Sequence, residues 1–533
     1  MTESAPAPPS LYAPREPIFP RKVSGPFRRL KWALLVGMLG IYYVLPWIRW
    51  DRGPNLPDQA VLLDLAGRRF YFFWIEIWPH EFYFVAGLLI MAGLGLFLFT
   101  SALGRVWCGY ACPQTVWTDL FIVVERWVEG DRNARVRLWN AGWSARKIRL
   151  RVSKWLLWLL ISVATGGAWV FYFADAPALA RDLATLQAPL VAYSSVGILT
   201  ATTFIFGGFM REQVCIYMCP WPRIQGAMMD DDTLTIGYRD WRGEPRGKGK
   251  RRREMAQNAQ LEAEFATSDA AERIAAEEAA RGRGVAAYAA TPYPGKPAAV
   301  TAPDAAHRPG DPGPGDCIDC MACVNVCPMG IDIRDGQQME CITCGLCIDA
   351  CDDIMAKIGK PRGLIDYLAL SDEGRERTGE PPRPAWQHVF RVRTIIYFIL
   401  WSLFGLALVW ALFIRSDLDL SVEKVRNPQF VTLADGSIRN AYTARIKNLT
   451  GEDRQFRVLL HSDTVLRIDV ETPGPERNHV IVPANETLVA RIYVLARPDD
   501  PAASQDVTPL SLWVEDVNGD GRSGTDTIFN GRK

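Results

Sequence analysis

Long apolar runs alternate with strongly polar stretches along this chain, and five of the runs are long enough to cross a bilayer. A hydrocarbon core of about 30 Å takes roughly 20 helical residues. Runs of that size lie near 31–49, 82–103, 155–174, 189–209 and 394–414. The second, FYFVAGLLIMAGLGLFLFTSAL, and the fifth, TIIYFILWSLFGLALVWALFI, contain no charged residue. The first is interrupted by Pro46, and the fourth is rich in Thr, Ser and Gly, which suits helix–helix packing. From about residue 420 the period of the pattern shortens to two. FVTLADGSIRNAYTARIKNLT, QFRVLLHS, VLRIDVET, TLVARIYVLA and SLWVEDVNGDG read as strands separated by Asp-Gly, Pro and Asn turns. They predict a small β-sandwich of immunoglobulin type.

The polar stretch 243–316 fits neither pattern. It opens with the basic run RGKGKRRRE, suited to anchoring beside acidic membrane lipid. An Ala/Glu-rich segment follows, MAQNAQLEAEFATSDAAERIAAEEAARGR, which predicts at least partial helix. A Pro/Gly/Ala linker then runs to the next motif and has no means of building a core.

The balance of 60 basic against 59 acidic residues, a net charge of +1, argues against nucleic acid as a partner. The distribution of the positive charges is more informative than their sum. Arg15, Arg21, Lys22, Arg28, Arg29 and Lys31 precede the first run. Arg132, Arg135, Arg137, Arg146, Lys147, Arg149 and Arg151 lie between the second and third, and RGKGKRRRE follows the fourth. The positive-inside rule therefore predicts a cytoplasmic N-terminus and a C-terminal domain outside. The opening MTESAPAPPSLYAPREP has no apolar stretch followed by a cleavage site, so no removable signal peptide is expected.

All twelve cysteines fall in four groups, and the residues after Cys351 contain none. CIDCMACVNVCP spaces Cys317, Cys320, Cys323 and Cys327 as C-x2-C-x2-C-x3-C followed by Pro, the bacterial two-cluster ferredoxin spacing. CITCGLCIDAC repeats it with Cys341, Cys344, Cys347 and Cys351. In such pairs the fourth cysteine of each run ligates the other cluster. The expected ligand sets are Cys317, Cys320, Cys323 and Cys351 for one [4Fe–4S] cluster, and Cys341, Cys344, Cys347 and Cys327 for the other. Asp352 replaces the second Pro and adds negative charge near the first cluster.

RVWCGYACPQ and QVCIYMCPW supply Cys108, Cys112, Cys215 and Cys219. Each C-x3-C places its two sulfurs at i and i+4, on one face of a helical turn that the following Pro halts. If the pairs meet, four thiolates converge at the cytoplasmic membrane surface, with Met218 as a soft neighbour. Such ligands suit Cu(I), zinc or an iron–sulfur cluster. Small buried residues at span ends is the plainer alternative. The spans carry almost no ionisable residues at their centres and no facing His pair, which disfavours an ion pathway and a transmembrane haem relay. His80 and His388 read as interfacial. No nucleotide loop is present, so the electron donor is expected to be a separate molecule. DVNGDG imitates a calcium loop, but Thr527 stands at its twelfth position, so it reads as a turn.

The stretch from Cys317 to Tyr367, together with LLDLAGRRFYFFWIEIWPHEFYF, GRVWCGYACPQTVW and VCIYMCPWPRIQGAMMDDDTLTIGY, closely resembles the cytochrome c oxidase accessory proteins of the CcoG type, also called FixG or RdxA. The long insertion around 251–310 departs from the short linker that family would suggest. The resemblance implies reduction of Cu(II) to Cu(I) for assembly of a cbb3-type oxidase in the bacterial inner membrane. Its catalytic and copper-binding residues would be Cys108, Cys112, Cys215 and Cys219. Its partners would be a cytoplasmic electron donor, a copper exporter or chaperone, oxidase assembly components and membrane lipid. A quinol-linked respiratory electron-transfer subunit and an assembly scaffold without redox turnover remain as alternatives.

The expected architecture is a multi-domain membrane protein: an α-helical bundle of about five spans, a cytoplasmic two-cluster ferredoxin-like module and a C-terminal immunoglobulin-like β-sandwich. Residues 1–30 form a tail, 31–242 a four-span domain, 243–316 the insertion and 317–360 the ferredoxin module. Residues 361–393 are a connector, 394–414 the fifth span and 415–533 the outer domain.

Overall fold

The computed structural model describes residues 17–52, 56–267, 314–414, 418–450, 452–471, 478–484 and 486–532. The described parts of 17–47, 61–70 and 77–405 form one compact unit, and those of 48–60, 71–76 and 406–532 form a second.

In the first unit, α1 (Pro26–Val44) continues into a 3-10 turn, Leu45–Trp47. Next come α2 (Tyr83–Leu103), the short α3 (Val106–Tyr110), α4 (Pro113–Glu129) and α5 (Ala145–Val170). Helix α6 (Leu190–Thr202) runs on as a π-helical stretch, Thr203–Met210, and α7 covers Trp221–Met228. The ferredoxin runs contribute α8 (Ala322–Val326) and α9 (Leu346–Lys357), and α10 (Val392–Phe413) is the last long helix. Five helices among the described residues, α1, α2, α5, α6 with its π-helical extension, and α10, are long and apolar enough to cross a membrane.

Their ends differ from those of the apolar runs. Helix α5 starts at Ala145 because the Ser144 hydroxyl accepts the Lys147 N–H at 3.2 Å and fixes the first turn. The hydropathy pattern misses that turn because it is basic. Helix α1 starts at Pro26, a residue favoured in the first helical turn because it has no N–H to leave unpaired. Small residues let helices approach: a Cβ on Gly166 of α5 would meet the Val196 carbonyl of α6 at 2.9 Å. Trp158 of α5 stacks on Phe121 of α4, with ring centroids 5.2 Å apart. Beside them Glu125, only 3% exposed, is held by Arg135 at 2.8 Å, Arg211 at 2.5 Å and Lys154 at 3.4 Å.

His388 is not an interfacial residue. It is 2% exposed, and its Nε2 lies 2.8 Å from the Asp372 carboxylate. The basic run and the start of the Ala/Glu-rich segment form a helix, Lys250–Thr267. The rest of that segment and the Pro/Gly/Ala linker lie outside the described residues, apart from the last few residues of the linker.

Two strands, β1 (Thr235–Tyr238) and β2 (Ile365–Leu368), pair antiparallel with Tyr238 opposite Ile365. Arg242 binds the Asp316 carboxylate at 2.7 Å and the Arg362 carbonyl at 2.9 Å. The ferredoxin module is thus assembled from chain on both sides of the insertion, which leaves and re-enters at its edge.

The second unit holds the sandwich. Its strands are β3 (Leu418–Lys424), β4 (Ile438–Asn448), β5 (Arg454–His461), β6 (Arg467–Val470), β7 (His479–Val482), β8 (Thr487–Ala496), β9 (Thr508–Asp516) and β10 (Arg522–Phe529). One sheet runs β6-β8-β4-β3, with Val431–Thr432 also paired to β4, and the other runs β7-β5-β9-β10. Every second residue of β4 is buried, so Tyr442, Ala444 and Ile446 meet Phe456, Val480 and Leu512 of the facing sheet in one core. DVNGDG is the β9–β10 turn, as read from the sequence, and Asp516 in it accepts the Asn518 N–H at 3.0 Å.

Candidate metal centres

The C-x2-C loops shape the ferredoxin sites. In both runs the residue before the second cysteine and the residue after it have positive φ: Asp319 (53°) and Met321 (59°), then Thr343 (53°) and Gly345 (73°). Three of these are not glycine, so the strain is held by the surrounding structure. Alternation of this kind turns successive N–H groups inward, the backbone nest used around anions and iron–sulfur groups. Gly345 is required twice over, since a Cβ there would also meet the Phe27 ring at 2.5 Å.

The structure brings Cys351 beside Cys323, Cys317 and Cys320, and brings Cys347 and Cys327 beside Cys344 and Cys341. The fourth cysteine of each run therefore crosses to the other quartet. The first quartet lines a small cavity with Tyr238, Arg334, Met355 and Leu364. Backbone N–H groups of Ile331 and Met329 reach the Cys327 sulfur, and that of Thr343 reaches Cys341. Burial pushes the Cys323 and Cys341 thiols up to about 11 and Cys327 to about 12. Bare thiols in these positions keep their protons at neutral pH, and metal binding displaces them. All-sulfur donor sets, inward N–H groups and a dry surround fit a [4Fe–4S] cluster in each quartet.

The membrane-side cysteines form a third group. Helix α2 ends at Gly104, and α3 carries Cys108; Cys112 is extended and Pro113 opens α4. A π-helical turn, Val214–Met218, carries Cys215, followed by extended Cys219 and then α7. Pro113 thus starts a helix as well as ending one. The Cys108 thiol stands close enough to Cys112, Cys215 and Cys219 to feel their charge, and Cys215 likewise faces Cys112 and Cys219. Burial pushes both Cys108 and Cys215 up to about 12. The Cys108 thiol donates to Gln225 at 3.1 Å, and Gln225, with no exposure, donates to Thr100 at 3.3 Å. Met218 is 52% exposed beside them.

The membrane-side group touches the second ferredoxin quartet through backbone. A Cβ on Gly109 would meet the Ile342 carbonyl at 2.6 Å and the Cys344 Cα at 3.1 Å. The Tyr110 hydroxyl donates to the Cys344 carbonyl at 3.0 Å, and Tyr367 donates to Thr343 at the same distance. Arg105, 3% exposed, donates to the carbonyls of Pro222 (2.6 Å), Met339 and Cys341 (3.5 Å). It ties both C-x3-C segments to the second run. Asp349 of α9 accepts the N–H groups of Phe27 (3.3 Å) and Arg28 (2.8 Å), placing a carboxylate at the N-terminus of α1. Gly109, Tyr110 and Arg105 lie inside the quoted motif, yet nothing in their types marked them as contacts.

Three protein families match parts of the chain. The 4Fe-4S dicluster domain matches residues 210–281 and 293–370, a 4Fe-4S binding domain matches 84–133, and the IG-like fold at the C-terminal of FixG matches 408–532. The whole chain also has similar relatives. Protein RdxB of Cereibacter sphaeroides is 59% identical over 98% of both chains. Protein RdxA of the same organism is 56% identical over 96% of this chain and 95% of its own. Nitrogen fixation protein FixG of Rhizobium meliloti is 48% identical over 95% of this chain and 87% of its own. An iron–sulfur membrane protein with this sandwich and this identity from end to end belongs to the CcoG family, that of RdxA, RdxB and FixG.

Proposed function

We propose that the chain reduces Cu(II) to Cu(I) beside the membrane-side thiols, for insertion into a cbb3-type cytochrome c oxidase. The supporting observation is that four thiols from two separate span ends converge and abut the loop of the second ferredoxin quartet through Gly109 and Tyr110. Copper is the substrate: each Cu(II) takes up one electron and leaves as Cu(I), and the electron originates in a cytoplasmic reductant. The eight ferredoxin cysteines hold two [4Fe–4S] clusters, which supply one-electron storage when bound.

The remaining residues do structural work for that exchange. Asp349 and Arg105 pin the ferredoxin module against the span ends, and Tyr110 fixes the Cys344 loop. Soft sulfur around Cys219 and Met218 favours the reduced ion over the oxidised one. The positive charges that flank the spans support a cytoplasmic position for this face and a periplasmic one for the sandwich. A copper exporter or chaperone then takes Cu(I) away.

The test is anaerobic. The reduced protein is mixed with Cu(II), and cluster absorbance is followed together with a Cu(I)-specific chelator. Reoxidation of the clusters matched by Cu(I) formation is expected. The double variant Cys215→Ser/Cys219→Ser should keep both ferredoxin clusters and lose copper reduction. Clusters that stay reduced in the presence of Cu(II) would remove the reading.

A further inference from the structure

We infer that Cys108, Cys112, Cys215 and Cys219 together hold a third [4Fe–4S] cluster at the membrane end of the chain. The 4Fe-4S binding family matched at residues 84–133 covers only two cysteines, Cys108 and Cys112, which is half a ligand set. The fold supplies the other half from Cys215 and Cys219.

The spacing and the extended second cysteine repeat those of a ferredoxin ligand segment, although the Cys327 N–H bonds three residues back, to Val324. CGYACP, CIYMCP and CVNVCP share one spacing, a helical turn between two cysteines and a closing Pro. A residue before Pro is driven out of the helical region. Cys112 accordingly has φ −62° and ψ 128°, Cys219 −84° and 123°, and Cys327 −65° and 123°. The N–H of Cys112 donates to the carbonyl five residues back, Trp107, and that of Cys219 does the same to Val214. In the ferredoxin run the two thiols of the unit face different quartets. At the membrane two units face one another, and their four thiols share one group.

An all-sulfur donor set inside a matched iron–sulfur family favours a cubane over a single ion. One tetrahedral ion draws thiolates to about 2.3 Å from a common centre, which brings the sulfurs into mutual contact. Among the described residues no three Cys, His, Asp or Glu side chains stand close enough for one ion, and this holds for the ferredoxin quartets as well. A cubane binds each thiolate at a separate iron corner, so its ligands stand further apart. The donors of the membrane-side group are sulfur alone. Arg105, buried between Cys108 and Cys341, places one guanidinium where two anionic clusters would otherwise face each other.

The inference deepens the copper-reduction reading, in which copper is then reduced at the neighbouring surface by Met218 rather than on the thiolates. The experiment counts iron and acid-labile sulfide per chain in the full-length protein purified anaerobically in detergent. Mössbauer spectra quantify the cluster types. Three clusters are expected in the parent. Cys108→Ser and Cys219→Ser, made separately, should each lower iron and sulfide by about a third and leave the paired ferredoxin signals intact. A parent chain with two clusters overturns the inference whether or not the variants fold, as does stoichiometric copper on the four thiols at undiminished iron. A two-cluster chain that reduces Cu(II) would sink this inference alone, and a three-cluster chain that cannot would sink only the copper reading.

Discussion

Gly109→Ala separates the contact between the membrane-side thiols and the ferredoxin module from the chemistry on either side of it. A Cβ at this position would lie 2.6 Å from the Ile342 carbonyl oxygen, whereas ordinary contact begins at 3.4 Å. The obstructing atoms are backbone and cannot rotate away, so the Cys341–Gly345 loop has to retreat by most of an ångström. Overpacking of this kind costs about 1–3 kcal/mol, and losing the Tyr110 bond to Cys344 adds about 1 kcal/mol. The gain in helix propensity from Gly to Ala within α3 offsets about 1 kcal/mol of this. Net stability therefore falls by no more than about 1–3 kcal/mol, while the displacement remains.

A misplacement near 1 Å in a reacting constellation lowers rates by up to about 100-fold, so a 10- to 100-fold slower copper reduction is expected at unchanged iron content. Gly142→Ala is the control, since a Cβ there meets nothing within 4 Å. The assay is single-turnover: pre-reduced protein is mixed with Cu(II) in stopped flow, with iron counted on the same preparation. A Gly109→Ala protein that keeps its iron and reduces copper at the parental rate would refute the contact as the point of exchange. Loss of iron from the second quartet would instead show that Gly109 is needed for assembly.

Two further predictions concern charge. Glu125→Gln removes the carboxylate shared by Arg135, Arg211 and Lys154, of which Lys154 keeps Glu129 at 3.0 Å, and stranding the two buried guanidiniums in this way costs about 3–5 kcal/mol; the apparent melting temperature in detergent should fall, and an unchanged value would mean that water reaches the cage. Asp372 is buried, which opposes ionisation, but hydrogen bonds from Arg383 and His388 outweigh this and hold its carboxyl below the ordinary aspartate range. A depressed carboxyl contributes stability that is full above the unfolded-state pKa, 3.8, and is lost as pH falls through that value toward the folded one. Denaturant midpoints between pH 6 and about pH 3 should therefore drop more steeply for the parent than for Asp372→Asn, and parallel curves would contradict the assignment.

What could be read from the sequence was whatever depends on neighbours along the chain. The spans follow from runs of apolar residues, and the crossed quartets follow from two runs of fixed spacing with 13 residues between them. The sandwich announced itself only where buried and exposed residues alternate strongly, as in β4. Strand β10, RSGTDTIF, stayed hidden because it is an edge strand with one fully buried side chain, Phe529, at its end. Strand β3 was missed too, and so was β7, whose HVIV is too short for a period to emerge.

The contacts that make the candidate site are of the opposite kind. Cys108 lies on α3, after α2, and Cys215 on the π-helical turn Val214–Met218, after α6, and no local pattern encodes their approach. Arg105 and Tyr110 looked like the flanks of a cysteine motif, and their partners turned out to be carbonyls of the second ferredoxin run. Such groups can be inferred in reverse. A thiol group that must exchange electrons needs a rigid, dry seam to its supplier, and rigidity across a seam comes from backbone carbonyls bound by side chains that cannot be spared elsewhere. A glycine between two cysteines is the residue that lets backbone meet backbone there. CGYACP carries that glycine and CIYMCP does not. The asymmetry makes the first motif the side whose backbone meets the ferredoxin backbone, while the second meets the module through the Cys215 and Ile216 side chains and leaves Tyr217 and Met218 exposed.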